Sequence, residues 1–327
     1  MDDAQNNLDE IGAWYSWFAN NEANGQSELW ADLASRIAND SDLLQFLASL
    51  PPSKRQPNLF LASYRSLFGT PEDWATFRGM VLSEPNKIAT RMLERSTQTN
   101  EPGRCAVLLP VLATLPQPLA LVEVGASAGL CLLLDRYGYD YGGYQLTPPD
   151  RGDSPLFECD ADPNTPIPEK LPDVAWRMGL DINPLDVMNP EQMAWLETLV
   201  WPGQEVRQNR LRKAIAVARR DPPQVIRGDI LNDLKALMEQ VPAGLTTVIF
   251  HSAVLNYLPD QESRDSFADQ AMALADYWIS NESPMVLPQI STKTPDGVAG
   301  SFLLSLNAEP IAWTNPHGSS IRWIAES

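Results

Sequence analysis

Histidine is scarce in this 327-residue chain, cysteine almost as scarce, and neither is spaced to hold a metal. The two histidines, His251 and His317, stand far apart, so no dedicated zinc or iron site is expected. Cys105, Cys131 and Cys159 contain no Cys-x-x-Cys pair and would leave one thiol over in any pairing, which fits free thiols in a reducing compartment. Basic residues are also short. Against 42 Asp and Glu there are only 24 Lys and Arg, and a formal net charge of -18 repels a phosphate backbone, so nucleic acid is a poor partner. No apolar run has the length of a membrane span, and the opening Met1-Asp2-Asp3-Ala4 lacks the basic and apolar regions of a leader. A cytoplasmic protein with no membrane partner is the expectation.

What is present is organised. From Leu8 to Leu50 apolar residues recur at helical spacing, as in Ile11, Trp14, Tyr15 and Phe18. Pro51-Pro52 stops that pattern, 58–68 resumes it, and Gly69-Thr70-Pro71 stops it again. Residues 1–115 thus read as a helical region, with Trp14, Trp17, Trp30 and Trp74 expected in its core. From about residue 116 the pattern changes. Leu119–Val124 reads as a strand, and Leu130–Asp135 as the start of a helix. Residues 138–173, rich in Tyr, Gly, Pro and Asp, read as an insertion or small hairpin. Further strands are expected at 174–180, 224–227, 246–250 and 284–290, with helices at 190–199, 204–220, 231–240 and 263–279. Strands alternating with helices imply a parallel sheet covered on both faces. The tail, at 301–306, 311–314 and 320–324, reads as short strands joined by turns, so antiparallel pairing should close the sheet.

The strongest chemical signal is the turn after that first strand, Glu123-x-Gly125-x-Ser127-x-Gly129. Small residues such as Gly125, Ala126 and Gly129 let backbone turn tightly and approach a ligand, and the amides of a following helix suit a polar group. The spacing lacks both the Gly-x-Gly-x-x-Gly of a dinucleotide turn and the Lys-Ser/Thr of a P-loop, and fits S-adenosylmethionine better. Asp181 follows another expected strand, where a carboxylate accepts hydrogen bonds from ribose hydroxyls; capping a turn with Asn183 is its other reading. Asp229 ends a third strand, suited to an adenine amino group with Ile230 against the ring, or to a helix N-cap.

A glycine turn after strand one and acids after strands two and three resemble the class I S-adenosylmethionine-dependent methyltransferases. That resemblance implies a seven-stranded Rossmann-like sheet with an antiparallel C-terminal hairpin over residues 116–327. More closely, Gln98–Cys105, Glu123–Leu130, Leu134–Tyr137 and Thr314–Gly318 are similar to a bacterial family of unknown function, a likeness that runs along nearly the whole chain. Cys131 stands where an Asn is expected in that family.

The acceptor side is less legible. His251, after the strand Thr247–Phe250, is the candidate general base, with a structural histidine as the plainer alternative. Tyr257 is a possible second wall of the site, or helix packing. Asn100, Glu101 and Arg104 sit just before the first strand. They are placed to reach a cofactor carboxylate or the acceptor, or else Arg104 pairs with Glu101. His317 reads as structural, and the basic run from Arg207 to Arg220 as a solvated helix face. The expectation is a methyltransferase for a small-molecule acceptor. Two alternatives stay open: a module that binds cofactor without chemistry, and a nucleotide- or NAD-dependent enzyme.

Overall fold

The computed structural model describes residues 2–98, 100–149, 152–295 and 297–324. These form two compact units: Met1–Thr99 with Ala194–Asn209, and Asn100–Met193 with Arg210–Ser327. Among the described residues no helix is long and apolar enough to cross a membrane.

The first unit is helical, and its helices begin and end where side chains satisfy the backbone. Asp40 Oδ1 accepts from the amides of Asp42 and Leu43 ahead of helix Ser41–Ala48, and Asp73 Oδ1 accepts from Thr76 ahead of helix Trp74–Ser83. Pro57 opens helix Pro57–Phe68, where its missing N–H costs nothing, and Gly69 closes it with φ +84°. The core is aromatic. Tyr15, Phe18, Trp30, Phe60, Tyr64 and Phe77 are buried, with Tyr64 and Phe77 centroids 4.7 Å apart. Trp195, from the second segment of this unit, joins them and donates to the Ser96 carbonyl. Trp14 and Trp17 do not belong to this core: they are 39% and 52% exposed, because Ile11, Tyr15 and Phe18 occupy the buried face of the same helix.

The second unit is mixed α/β. Its described strands are β1 (Leu119–Val124), β2 (Gly138–Asp140), β3 (Gln145–Leu146), β4 (Leu156–Glu158), β5 (Asp160–Ala161) and β6 (Val174–Asp181). They continue with β7 (Val225–Arg227), β8 (Thr246–Ser252), β9 (Tyr277–Glu282), β10 (Phe302–Leu306), β11 (Glu309–Thr314) and β12 (Ser320–Trp323). Nine make one sheet in the order β7-β6-β1-β8-β9-β10-β11-β12-β5, and β3-β2-β4 make a second. From β7 to β9 the pairing is parallel; β9 to β12 is an antiparallel meander, and β5 runs parallel to β12. The expected seven strands are therefore nine. The antiparallel hairpin is present, extended by a third tail strand and by β5 from within the 138–173 stretch. β1 is buried along its whole length, as the central strand of a sheet covered on both faces should be.

Two local expectations fail. The run 284–290 is not a strand but a turn leading into the short helix Pro288–Ser291, and the fifth parallel strand lies earlier, at Tyr277–Glu282. Helical periodicity hid it: helix Gln261–Leu274 stops at Ala275, and the β-favouring Tyr277-Trp278-Ile279 that follows continues the apolar pattern. Likewise, the segment after the glycine turn is only a 3-10 stretch, Leu130–Arg136, broken by non-helical dihedrals at Leu133. Tyr137 takes the Leu130 carbonyl with its hydroxyl and Tyr139 takes that of Leu134, so the acceptors of a continued α-helix are spent on side chains.

Candidate functional site around the glycine turn

The chain leaves β1, passes to β6 and β7 on one flank, and returns to β8 on the other. The loops after β1 and β8 therefore diverge at the carboxyl edge of the sheet, the crevice where open α/β sheets place ligands. The glycine turn sits there. Gly125, Ser127 and Gly129 all have positive φ, at +68°, +52° and +69°. Only at the two glycines is that conformation free of Cβ strain; Ser127 is held in it by its surroundings.

Those surroundings are polar side chains. Asp181 Oδ2 accepts the Ser127 amide at 2.7 Å while its Oδ1 accepts the Asn183 amide at 2.7 Å. Asn100 clamps the turn from the other side, donating to the Ala126 carbonyl at 3.1 Å and accepting the Leu130 amide at 2.9 Å. The amides of Gly125 and Ala126 both point at the Leu180 carbonyl, and Gly129 donates to Ala126. The amide donors of Gly125, Ala126, Ser127 and Gly129 are thus spent within the protein. Its packing is equally tight: a Cβ at Gly179 would lie 2.6 Å from that of Ala126, and one at Gly125 would strike the methyls of Val254.

Two polar atoms here have no such partner. Glu123 Oε2 and Ser127 Oγ are buried and without a hydrogen bond. Burial, with the neighbouring Cys131 thiol and Asp181 carboxylate adding to it and Arg104 opposing, pushes the Glu123 carboxyl well above its ordinary 4.5. Cys131 is buried beside Cys105; contact with that thiol and burial both push its own proton affinity up, and its thiol lies against the Glu101 carbonyl. All three cysteines are buried and free.

Asp229 is half-buried, and its Oδ1 accepts from the Leu231 and Asn232 amides at 2.8 and 3.2 Å, the capping arrangement. Ile230 packs on the core that includes Leu180 and Leu234. Arg104, 7% exposed, donates to the carbonyls of Pro316 and Ser252, each at 2.8 Å. It therefore ties the tail turn to the end of β8. Tyr257 is 70% exposed, at the end of a 3-10 turn, Leu255–Tyr257.

Residues 12–323 match the family described as "Uncharacterized protein conserved in bacteria", DUF2332. The chain belongs to that family. No curated protein matches it. Within this DUF2332 chain the motifs quoted above meet in space: Asn100 touches the glycine turn, Arg104 and Gly103 touch the turn 315–318, and Tyr137 binds Leu130.

His251 lies elsewhere in kind. It is fully buried on β8, its Nε2 accepting the Trp278 indole N–H at 3.1 Å and its Nδ1 2.7 Å from Glu282 Oε1. An indole nitrogen only donates, so Nε2 must be the unprotonated nitrogen and Nδ1 carries the proton to Glu282. Both nitrogens are committed, and the general-base role loses its physical basis. Glu282 was not legible in advance, yet it is a hub: the same oxygen accepts the amides of Val254 and Leu255 at 2.8 and 3.2 Å, fixing the loop whose Val254 covers Gly125. Beside it Asn281 donates to Ser252 Oγ and accepts from Thr314. The signal was available in β9, where three successive polar residues, Ser280, Asn281 and Glu282, end an aromatic run. Among the described residues no group of three or more His, Cys, Asp or Glu is placed to hold a metal.

Proposed function

We propose that the second unit binds S-adenosylmethionine at the carboxyl edge of its sheet and transfers the methyl group to a small molecule. The observation that carries this reading is the glycine turn at the β1/β8 divergence with two buried, partnerless polar atoms, Glu123 Oε2 and Ser127 Oγ, at that turn. Buried polar groups are ordinarily satisfied, so a pair of orphans at a topological switch point favours a ligand. These residues fit the cofactor in type: Asp181 keeps acceptor capacity beyond the one amide on each oxygen, enough for hydroxyl donors, and Glu123 suits an ammonium group. Because the amides of Gly125, Ala126 and Ser127 are already spent, recognition at those three positions falls to side chains. When bound, the cofactor supplies a methyl group on a positively charged sulfur, and its transfer is an in-line displacement that rewards positioning.

The commitment of both His251 nitrogens favours a second reading, a module that binds the same ligand without chemistry. Calorimetric titration of the full chain with S-adenosylmethionine and S-adenosylhomocysteine tests the first step. Saturable binding that Ser127→Ala and Asp181→Ala both weaken is the expected result. No heat at millimolar ligand, with NAD binding instead, sinks the cofactor assignment. Binding without methylated product across a broad acceptor panel turns the reading to the second one.

A further inference from the structure

The parallel part of the sheet has two unlike faces. One carries Val122, Val124, Leu180, Ile249 and Trp278 into an apolar core. The other follows from register, because paired residues point the same way and so do alternate residues along a strand. Glu123 is level with Gly179 on β6 and Phe250 on β8, so Asp181 and Ser252, each two residues further along, share its face. Ser252 is level with Asn281 on β9. Four adjacent strands thus bring Asp181, Glu123, Ser252 and Asn281 to one face at the carboxyl edge, with Glu123 one pleat back from the others, just before β1 gives way to the glycine turn.

Asp181, Ser252 and Asn281 in this row are satisfied within the protein. Asp181 takes the amides of Ser127 and Asn183, and Asn281 donates to Ser252 Oγ while accepting from Thr314. Glu123 differs: the residue is 6% exposed and its Oε2 has no partner. The titratable and charged groups around it come from four directions. They are Asp181 on β6, Glu101 and Arg104 at the 3-10 turn Pro102–Arg104, Cys105 at the start of the helix that follows, and Cys131 and Tyr137 beyond the glycine turn. Arg104 is the one cation among these six, and its Nε and Nη1 donate to carbonyls. An ionised carboxylate kept dry and without a donor is far more costly than the neutral acid. Burial, Cys131 and Asp181 favour the neutral form, against Arg104.

We propose that Glu123 holds a proton in the free protein and releases it when a ligand's ammonium group arrives, so that the site exchanges one proton for one cationic group. That the ammonium belongs to S-adenosylmethionine rests on the cofactor reading above; the proton on Glu123 does not. In the exchange the Glu123 O–H bond breaks, its electron pair stays on the carboxylate and the proton leaves to buffer. The ammonium keeps its own protons and donates to Oε2. The net charge of the site is the same before and after, so the buried acid never stands ionised without a partner. A ligand that lacks the cation leaves the proton in place.

The test uses the full-length protein. Infrared difference spectra of the free protein, wild type minus Glu123→Gln at about pH 6, above the ordinary glutamate range, should show a protonated carboxyl stretch. Its absence would overturn the proposal. Calorimetry with S-adenosylhomocysteine in phosphate and in imidazole buffer, at about pH 6.5, counts protons from the difference in heat. About one proton should be released per ligand by the wild type and about none by Glu123→Gln. Wild-type affinity should rise about tenfold per pH unit while Glu123 stays protonated, and that of Glu123→Gln should stay flat. A control that needs no variant is 5′-methylthioadenosine, which keeps the nucleoside and thioether but has no ammonium; it should bind wild type without releasing a proton. Binding of S-adenosylhomocysteine with the same heat in both buffers overturns the exchange. If S-adenosylhomocysteine fails to bind the wild type at millimolar concentration, the cofactor reading falls by itself, and the infrared band still decides whether Glu123 holds the proton.

Discussion

Replacing Glu282 with Ala removes one buried oxygen that serves three donors: His251 Nδ1 at 2.7 Å, the Val254 amide at 2.8 Å and the Leu255 amide at 3.2 Å. Each buried donor left without a partner costs about 1–3 kcal/mol. His251 and Leu255 are fully buried and bear that cost in full, whereas Val254 is half-buried and its amide recovers part of it from water. His251 has no escape by changing tautomer, because Trp278 requires an acceptor at Nε2. The expected loss is about 3–5 kcal/mol, or about 6–20 °C in Tm for a domain of this size. Glu282→Gln keeps an acceptor oxygen and should lose about 1–2 kcal/mol. Urea unfolding followed by tryptophan fluorescence gives the difference in stability. Amide hydrogen exchange locates it, with Val254 and Leu255 losing protection in the Ala variant before the rest of β8. A loss under about 1 kcal/mol with those two amides still protected would refute the hub.

Gly125→Ala combines left-handed strain with overlap on Val254 and should cost about 2–4 kcal/mol by thermal unfolding. Combining it with Val254→Ala should recover about 1–2 kcal/mol in a double-mutant cycle, and strict additivity would show that the two do not touch. Asn100→Ala strands the Leu130 amide, while Ala126's carbonyl keeps its bond from Gly129; the expected loss is about 2–3 kcal/mol in chemical denaturation, and a neutral result contradicts the clamp. Glu123 has a folded-state pKa above the ordinary 4.5, so its protonated form is favoured by folding. Stability from this group is fully present below 4.5 and is lost as pH rises through the raised folded value. Glu123→Gln should match wild type in acid and gain on it progressively above that pH, measured as the difference between two stability–pH curves; a gap that narrows with rising pH contradicts the sign.

The sequence was most readable where periodicity and turn chemistry agree. β1, β6, β7 and β8 stand within a residue or two of their expected positions, because each is a short β-favouring run bounded by Pro, Gly or Asp. The tail strands were legible for the same reason. β9 was not, because its inward polar residues Ser280, Asn281 and Glu282 imitate solvent exposure, and only the partners His251, Ser252, Val254 and Thr314, distant in sequence, make them core. At the candidate site the glycine turn and Asp181 could be picked out from local pattern, and Asn100 from its place before β1. What each side chain binds could not, since the Asn100 and Arg104 contacts span 26 to 212 residues. His251 shows the limit most clearly: position suggested a base, and the decisive fact is an indole 27 residues away.

The helical unit borrows Ala194–Asn209 from beyond the first three strands of the main sheet, β1, β5 and β6, and in that borrowed stretch Trp195 fills its core while Arg65 binds the Val200 carbonyl. During synthesis the ribosome delivers residues 1–99 long before that stretch emerges, so the first unit must wait, with an incomplete aromatic core, until about half of the second has been made. The second unit waits longer still, because β5 closes on β12 only after Ser320–Trp323 has been made. Neither unit is therefore a module that a simple cut at one peptide bond sets free: a truncation after residue 99 yields helices without their tryptophan seal, and a fragment that begins at residue 100 carries that seal with nothing to close.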